Sequence, residues 1–235
     1  MADPRATILV VEDEPEIRRF LRAALGAEGY RVVESASGRR GSIDAGTHKP
    51  DLVIVDLGLP DVDGVDVIRH IRAWSPMPIV VLSARVQEQA KIEALDAGAN
   101  DYVTKPFGVG EMLARVRAGL RHAVRSASGA GVLRFGVAVV DLERRMASRG
   151  DEDVHLTPLE FRLLATLARN HGMVVTHRQL LTEVWGPTHA SDTHYLRIYM
   201  KQLREKLEID PLRPRYLVTE TGVGYRLLED SDSGR

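Results

Sequence analysis

Cysteine is absent from all 235 residues, so neither a disulfide framework nor thiolate chemistry is open to this chain. No apolar run reaches the roughly 18 residues that a membrane helix needs. The N-terminus has no signal-peptide-like apolar stretch either, and a cytoplasmic protein is the expectation. The eight histidines stand singly, without the spacing of a zinc site. No glycine-rich phosphate loop of either common type occurs, which removes the usual nucleotide-binding readings. Excess charge is missing too. The net charge is −1, with 17 basic and 18 acidic residues in 1–125 and 15 of each in the remainder. Bulk attraction to nucleic acid is therefore excluded, and any such contact must come from a local patch. What is present is the composition of an ordinary globular protein, 44% hydrophobic and 28% charged, at a length that suits two domains.

The first half alternates strand and helix patterns. Short, β-branched apolar stretches at 7–11, 30–34, 51–55, 78–82 and 101–104 predict buried strands. Between them, Glu14–Ala27, Gln87–Ala97 and Gly110–Val124 carry apolar residues at helical spacing. Such alternation predicts an α/β domain, a five-stranded, doubly wound parallel sheet with helices on both faces. Ligands of these sheets bind at the carboxyl ends of the strands. Glu12 and Asp13 close the first strand, Asp56 the third, Ser83 the fourth and Lys105 the fifth.

Three carboxyls gathered at strand ends repel one another unless a cation sits among them. Mg²⁺ suits the set: Asp13 and Asp56 as direct ligands, Glu12 through a water, and the backbone carbonyl of Gly58 two residues past Asp56. Asp56 is also a candidate nucleophile, since a carboxylate can form an aspartyl phosphate. Lys105 would balance the phosphoryl charge, and Ser83 with the Ala84 amide would meet its oxygens. A lone acid after a strand is ordinarily a turn residue or a helix cap. Glu12, Asp13, Asp56, Ser83 and Lys105 together favour a phosphoryl-accepting site. A phosphatase of the haloacid-dehalogenase type would need a second aspartate where Gly58 stands.

Four blocks now resemble the signatures of bacterial two-component receiver domains: Val11-Glu-Asp-Glu14, Val55-Asp-Leu-Gly-Leu-Pro-Asp-Val-Asp-Gly64, Leu82-Ser-Ala84 and Tyr102-Val-Thr-Lys-Pro106. The resemblance implies that Asp56 accepts a phosphoryl group from a sensor histidine kinase, with Ser83 and Tyr102 as coupled switch residues. It also implies a cis Lys105–Pro106 bond. No enzymatic activity is expected beyond acceptance and hydrolysis of the protein's own phosphoryl group. A homodimer of phosphorylated chains is implied as well, through the fourth helix, fifth strand and fifth helix. Lys91, Asp96, Asp101, Glu111 and Arg115 would lie at that interface, Lys91 opposite Glu111 and Asp101 opposite Arg115. Asn100 stands where relatives often carry a second aspartate.

The second half is built differently. Ser126-Ala-Ser-Gly-Ala-Gly131 reads as a flexible linker, so the expected division is 1–125, 126–131, 132–229 and a polar tail at 230–235. Leu133–Val140, Arg145–Arg149 and Val154–Leu156 predict short antiparallel strands. Thr157-Pro-Leu-Glu160 then has the form of a capping box opening a helix. A second helix opens at Thr176. A third is capped by Ser191 or Asp192, and a hairpin joins Tyr216–Thr219 to Tyr225–Leu228. Three helices and a hairpin make a winged helix-turn-helix domain with an N-terminal antiparallel sheet.

On the third helix, Leu196, Met200, Leu203 and Leu207 form the apolar stripe, leaving Arg197, Lys201, Gln202 and Arg204 to face double-stranded DNA. Between Thr193 and Leu228 seven basic residues stand against four acidic ones, adding Arg213, Arg215 and Arg226 as phosphate contacts. Leu156-Thr-Pro-Leu-Glu-Phe161, Arg178-Gln-Leu-Leu181, Val184-Trp185 and Gly222-Val-Gly-Tyr-Arg226 resemble the OmpR/PhoB winged-helix effectors. That resemblance implies an RNA polymerase-facing loop at Gly186–Ala190; Thr221 stands where many relatives place a minor-groove arginine. A narrower resemblance, to potassium-responsive members of the group, is carried by Arg18-Arg-Phe-Leu-Arg22, Ala94-Leu-Asp-Ala-Gly98, His194-Tyr-Leu-Arg-Ile-Tyr-Met200 and Thr219-Glu-Thr-Gly-Val-Gly-Tyr225. It implies a KdpD-like sensor kinase and the promoter of a high-affinity potassium-transport operon. The alternative is a phosphorylation-independent DNA-binding regulator whose receiver is only an interaction module.

Overall fold

A computed structural model describes residues 6–84, 88–128, 131–190 and 192–230 of the chain. It divides into two compact units, Met1–Ala123 and Val124–Arg235. In the first, β1 (Thr7–Val11), α1 (Pro15–Ala27), β2 (Arg31–Ser35), α2 (Gly38–His48), β3 (Leu52–Asp56), α3 (Gly64–Arg72), β4 (Ile79–Ala84), α4 (Glu88–Asp96), β5 (Asp101–Lys105) and α5 (Val109–Ser128) alternate in order. The sheet runs β2-β1-β3-β4-β5 with every pairing parallel. Ile8, Val10, Leu52, Ile54, Val80, Leu82 and Val103 pack on one face against Leu21 and Leu25 of α1 and Met112 and Val116 of α5. All five expected strands are present, each within two residues of its expected bounds. The chain order reverses between β1 and β3, and this switch point opens the crevice beyond their carboxyl ends.

α5 continues to Ser128, so residues 126–128 of the expected linker are helical. Ser126, Ala127 and Ser128 lack apolar periodicity, yet alanine is the best helix former and serine costs little. Residues 129–130, Ser191 and 231–235, on which other expectations fell, lie outside the described residues.

The second unit opens with an antiparallel sheet of β6 (Val132–Phe135), β7 (Ala138–Asp141), β8 (Met146–Arg149) and β9 (Glu152–Asp153). The stretch Leu133–Val140, expected as one strand, is a hairpin, with Phe135 paired to Ala138 and Leu133 to Val140. Its burial gives the reason. Positions 133, 135, 138 and 140 are inward, so the two-residue alternation slips at Gly136–Val137, where the chain turns. Val154–Leu156 likewise follows β9 instead of forming a strand; the ladder to β8 is made by Glu152 and Asp153.

Next come α6 (Pro158–Arg169), β10 (Val174–Thr176), α7 (His177–Trp185), a 3₁₀ turn (Pro187–His189), α8 (Thr193–Leu207), β11 (Leu217–Glu220) and β12 (Gly224–Leu227). The Thr157/Glu160 capping box forms, and a second, Thr176 with Gln179, opens α7. Asp192 occupies the N-cap of α8 without capping it; its carboxylate sits 2.9 Å from His189 Nδ1 instead. β10 extends the hairpin to a sheet ordered β10-β12-β11. One core unites Phe135, Val140, Leu164, Leu167, Leu181, Val184 and the expected α8 stripe of Leu196, Met200, Leu203 and Leu207.

Candidate functional site

The parallel register sets the strand-end cluster. Val11 pairs with Val55, and Asp56 with Leu82. The acids after β1, the end of β3 and Ser83 on β4 therefore reach one level of the sheet. Glu12 and Asp56 are buried, and Glu12, Asp13 and Asp56 each offer an oxygen within 4.8 Å of the others. Lys105 enters from the end of β5, its Nζ 2.9 Å from Glu12 Oε2 and 3.1 Å from Asp56 Oδ1. The Gly58 N–H donates to Asp56 Oδ2 at 3.2 Å, so this residue meets the site through its amide. Gly64 is needed close by, because a Cβ there would collide with the Asp56 carbonyl oxygen. The Lys105–Pro106 peptide is cis.

Electrostatics follow from burial. Loss of water raises the carboxyl pKa values of Glu12 and Asp56, and the Lys105 ammonium only partly offsets it. Burial by itself would lower Lys105, but its bond to Glu12 and the charge of Asp56 outweigh this and leave it raised. One lysine thus faces more anionic charge than it can neutralise. The all-carboxylate donor set fits a hard divalent cation. Ser83 is buried at the end of β4, and Tyr102 is half-buried with Lys91 Nζ 5.1 Å from its ring centroid.

Two contributors escaped the sequence reading. Glu14 stands 3.4 Å from Lys105 Nζ, and Arg18 Nη1 donates to the Glu12 and Asp13 carbonyls, both at 2.6 Å. Neither has a local signal: Arg18 reaches back to backbone carbonyls, and Glu14 meets a lysine brought in by a different strand. Beside Lys105, Ile17, Phe20, Pro106 and Phe107 line an apolar-walled cleft of about 530 Å³ with Glu14 and Glu16 at its rim.

Of the expected dimer residues, Asp96 and Glu111 are exposed, and Lys91 lies over Tyr102. Asp101 is fully buried, and Arg115 Nε approaches it to 3.5 Å within the same chain. β5 and α5 are neighbours in one fold, so the two side chains of the pair expected across a two-fold axis already meet within one chain. Asn100 accepts from Arg72 Nη2 at 2.7 Å and from the Ile79 N–H at 2.9 Å.

On the second unit, Arg197, Lys201 and Gln202 are exposed on α8, as are Arg213 and Arg215 ahead of β11. Lys201 and Gln202 carry no bond shorter than the 3.7 Å approach of Lys201 to Glu205 among the described interactions. Two expected contacts are bonded within the fold, and Arg226 lies deep enough to be corrected. Arg204 turns inward to the Leu217 carbonyl and the Thr219 hydroxyl. Arg226 is 2% exposed, donating Nε to Glu220 and Nη1 to the Gly172 carbonyl, each at 2.7 Å. A side chain that far inside the fold has no reach to a phosphate.

Comparison with known proteins finds two families along the chain. Residues 8–117 match the family described as response regulator receiver domain, and residues 151–227 match transcriptional regulatory protein, C terminal. The chain is 56% identical over 221 residues to the KDP operon transcriptional regulatory protein KdpE of Escherichia coli K12, covering 94% of this chain and 98% of that one. It is 49% identical over 220 residues to KdpE of Mycobacterium tuberculosis, covering 93% and 97%. Among solved structures, the signal receiver domain of a Luxo repressor protein from Vibrio parahaemolyticus matches with a TM-score of 0.51 at 26% identity, covering 54% of this chain and 98% of that one.

Proposed function

Because the chain belongs to the KdpE-like two-component response regulators of the OmpR/PhoB type, transcription regulators with a receiver and a DNA-binding domain, we propose that Asp56 is its phosphoacceptor and that phosphorylation there governs promoter binding. The observation that carries this is Lys105 Nζ bridging Asp56 and Glu12 at 3.1 and 2.9 Å, among three converging carboxylates. Asp56 attacks the phosphorus of a kinase phosphohistidine; the new P–O bond forms as the P–N bond breaks, and the imidazole leaves. The carboxylate is already oriented, with one oxygen on Lys105 and the other on the Gly58 amide. As the phosphoryl group arrives, the Lys105 ammonium moves its bond from Asp56 to a phosphoryl oxygen and stabilises charge where it develops. Glu12, Asp13 and Asp56, with Gly58 in the same loop, would hold Mg²⁺, which supplies further neutralisation of the phosphoryl oxygens. Hydrolysis of the aspartyl phosphate resets the protein.

Ser83, one residue beyond the level of Asp56, takes the phosphoryl group's free face, and Tyr102 shifts with it, drawing Lys91. Lys91, Asp96 and Glu111 then lie at a receiver homodimer interface. The division proposed is a receiver to about residue 125 and an effector over 132–229. In the effector α8 enters the major groove, with Arg197, Lys201 and Gln202 toward DNA and Arg213 and Arg215 toward phosphates. The Gly186–Ala190 turn would meet RNA polymerase. By likeness to KdpE, the kinase is KdpD-like, the target is the KDP operon promoter, and the site of action is the cytoplasm. The test is transfer of labelled phosphate from a phosphorylated histidine kinase. The Asp56→Asn protein should take up none, and label retained on it would refute the assignment.

A further inference from the structure

Among the described residues, the order β10-β12-β11 leaves one side of β11 without a strand neighbour. Edge N–H and C=O groups ordinarily turn to water or invite another chain. Those of Leu217 on β11 turn to α8. Glu208, the residue that ends this helix, is 2% exposed. Its Oε1 accepts the N–H groups of Tyr216 and Leu217 at 2.8 and 2.7 Å, and its Oε2 accepts that of Arg215 at 3.2 Å. One helical turn earlier, Arg204 donates Nε and Nη2 to the Leu217 carbonyl at 2.9 and 2.6 Å, and Nη2 to Thr219 Oγ1 at 2.7 Å. Both backbone groups of Leu217 are thus taken by side chains of the helix. The Arg204 guanidinium also lies 5.7 Å from the ring centroid of Tyr225, which pairs with Thr219 across the hairpin. These are charge-assisted bonds, stronger and shorter than neutral ones.

We propose that Arg204 and Glu208 are positioning residues for DNA binding. They lock the hairpin to the recognition helix as one body and touch no DNA themselves. The inference rests on the DNA-binding reading of α8. Arg197 and Lys201 on the helix, and Arg213 and Arg215 between helix and strand, then meet the duplex at a preset spacing. That spacing removes an ordering cost that a loose hairpin would incur on binding. Arg226 braces the same sheet through Glu220 and Gly172.

A phosphate contact and a positioning residue differ in one measurable way. Each phosphate neutralised contributes roughly 0.9 to the slope of log K against log salt; a positioning residue contributes nothing to it. The experiment uses the full chain with Glu208→Ala, Glu208→Gln and Arg204→Met, and Lys201→Ala as the contact control. Work is done at a temperature where circular dichroism shows every variant folded. The probes are a duplex selected from a random pool by the unmodified protein and a random duplex of equal length.

Glu208→Ala and Arg204→Met should weaken the selected duplex by about tenfold, more than the random one, with an unchanged salt slope. Glu208→Gln, which keeps an acceptor for the Tyr216 and Leu217 amides, should recover most of that loss. On DNA-free protein, amide exchange at Leu217 should quicken about tenfold in Glu208→Ala. A slope reduced by about 0.9 in Arg204→Met, or unchanged exchange at Leu217, overturns the proposal. Failure of the unmodified protein to enrich any duplex would instead overturn the DNA-binding reading beneath it, and the exchange result would still judge the clamp.

Discussion

The two units of this chain spend their charged side chains in opposite ways. At the receiver strand ends, charge is concentrated and left unbalanced: Glu12, Glu14 and Asp56 meet Lys105, and Asp13 lies beside Glu12 and Asp56. In the effector, charge is divided between two tasks. Arg197, Lys201, Arg213 and Arg215 are exposed, while Arg204, Arg226, Glu208 and Lys206 bind the fold's own backbone and carboxylates. An unbalanced buried cluster is costly to the fold, and such clusters gather at functional sites. A satisfied guanidinium contributes to architecture, whatever its place in a basic-looking stretch.

The sharpest way to break the contrast is at Lys105. Lys105→Met should slow phosphotransfer to Asp56 about 10²- to 10³-fold, followed as label uptake from a phosphorylated kinase. A loss under about threefold would mean that the lysine does not stabilise the transferred group. Next in size is Arg226→Ala, which removes bonds to the Glu220 carboxylate and the Gly172 carbonyl. The second unit should lose about 3 kcal/mol. Its urea midpoint can be read from Trp185 fluorescence in a Trp74→Phe background, since each unit carries one tryptophan. An unchanged midpoint would return Arg226 to the list of surface contacts.

Gly41→Ala probes the receiver's packing. A Cβ there would lie 2.6 Å from Val11 Cγ2, on a β-branched side chain with little freedom to move. A cost of about 1–3 kcal/mol is expected in the first unit, followed through Trp74; a neutral effect would show that α2 can slide.

A smaller effect is set by pH. Burial alone would raise Glu160, but its bonds to the Lys206 ammonium and the Thr157 amide outweigh this and hold it below the ordinary 4.5. A lowered folded pKa gives stability that is whole above the unfolded value and lost as pH falls through the folded one. The second unit's urea midpoint should therefore drop on acidification below about pH 5, and Glu160→Gln should flatten that drop. Equal pH profiles for the two proteins would contradict it. The finest distinction is Arg197→Ala. It should reduce the salt slope of DNA binding by about 0.9 and leave both urea midpoints unmoved; an unchanged slope would place Arg197 off the DNA.

How legible each part was depends on the range of the interactions that make it. The strands of the receiver are continuous apolar runs, and Thr157 with Glu160 forms a cap across three residues, so both could be read locally. α2 was harder. Its Gly38, Gly41, Ser42, Gly46 and Thr47 read poorly as helix, and it forms because glycine lets it approach Val11 and Val62. β10 is only three residues long and exists because β12 pairs with it. The hairpin inside 133–140 was visible only as a one-residue slip in alternation. Asp101 and Arg115 looked like surface charges until β5 and α5 were brought together.

By itself, the sequence determined the identity and order of the strand-end residues. In a parallel sheet, whatever closes a buried strand must arrive at the same edge, so Glu12, Asp13, Asp56, Ser83 and Lys105 could be grouped from one dimension. It also determined which face of α8 is apolar. Only the tertiary structure decided which basic residues remain free. Arg197 and Arg204 lie on the same helix and carry the same charge, but the unpaired edge of β11 passes beside one of them. A guanidinium next to unsatisfied carbonyls bonds to them before it can reach a phosphate.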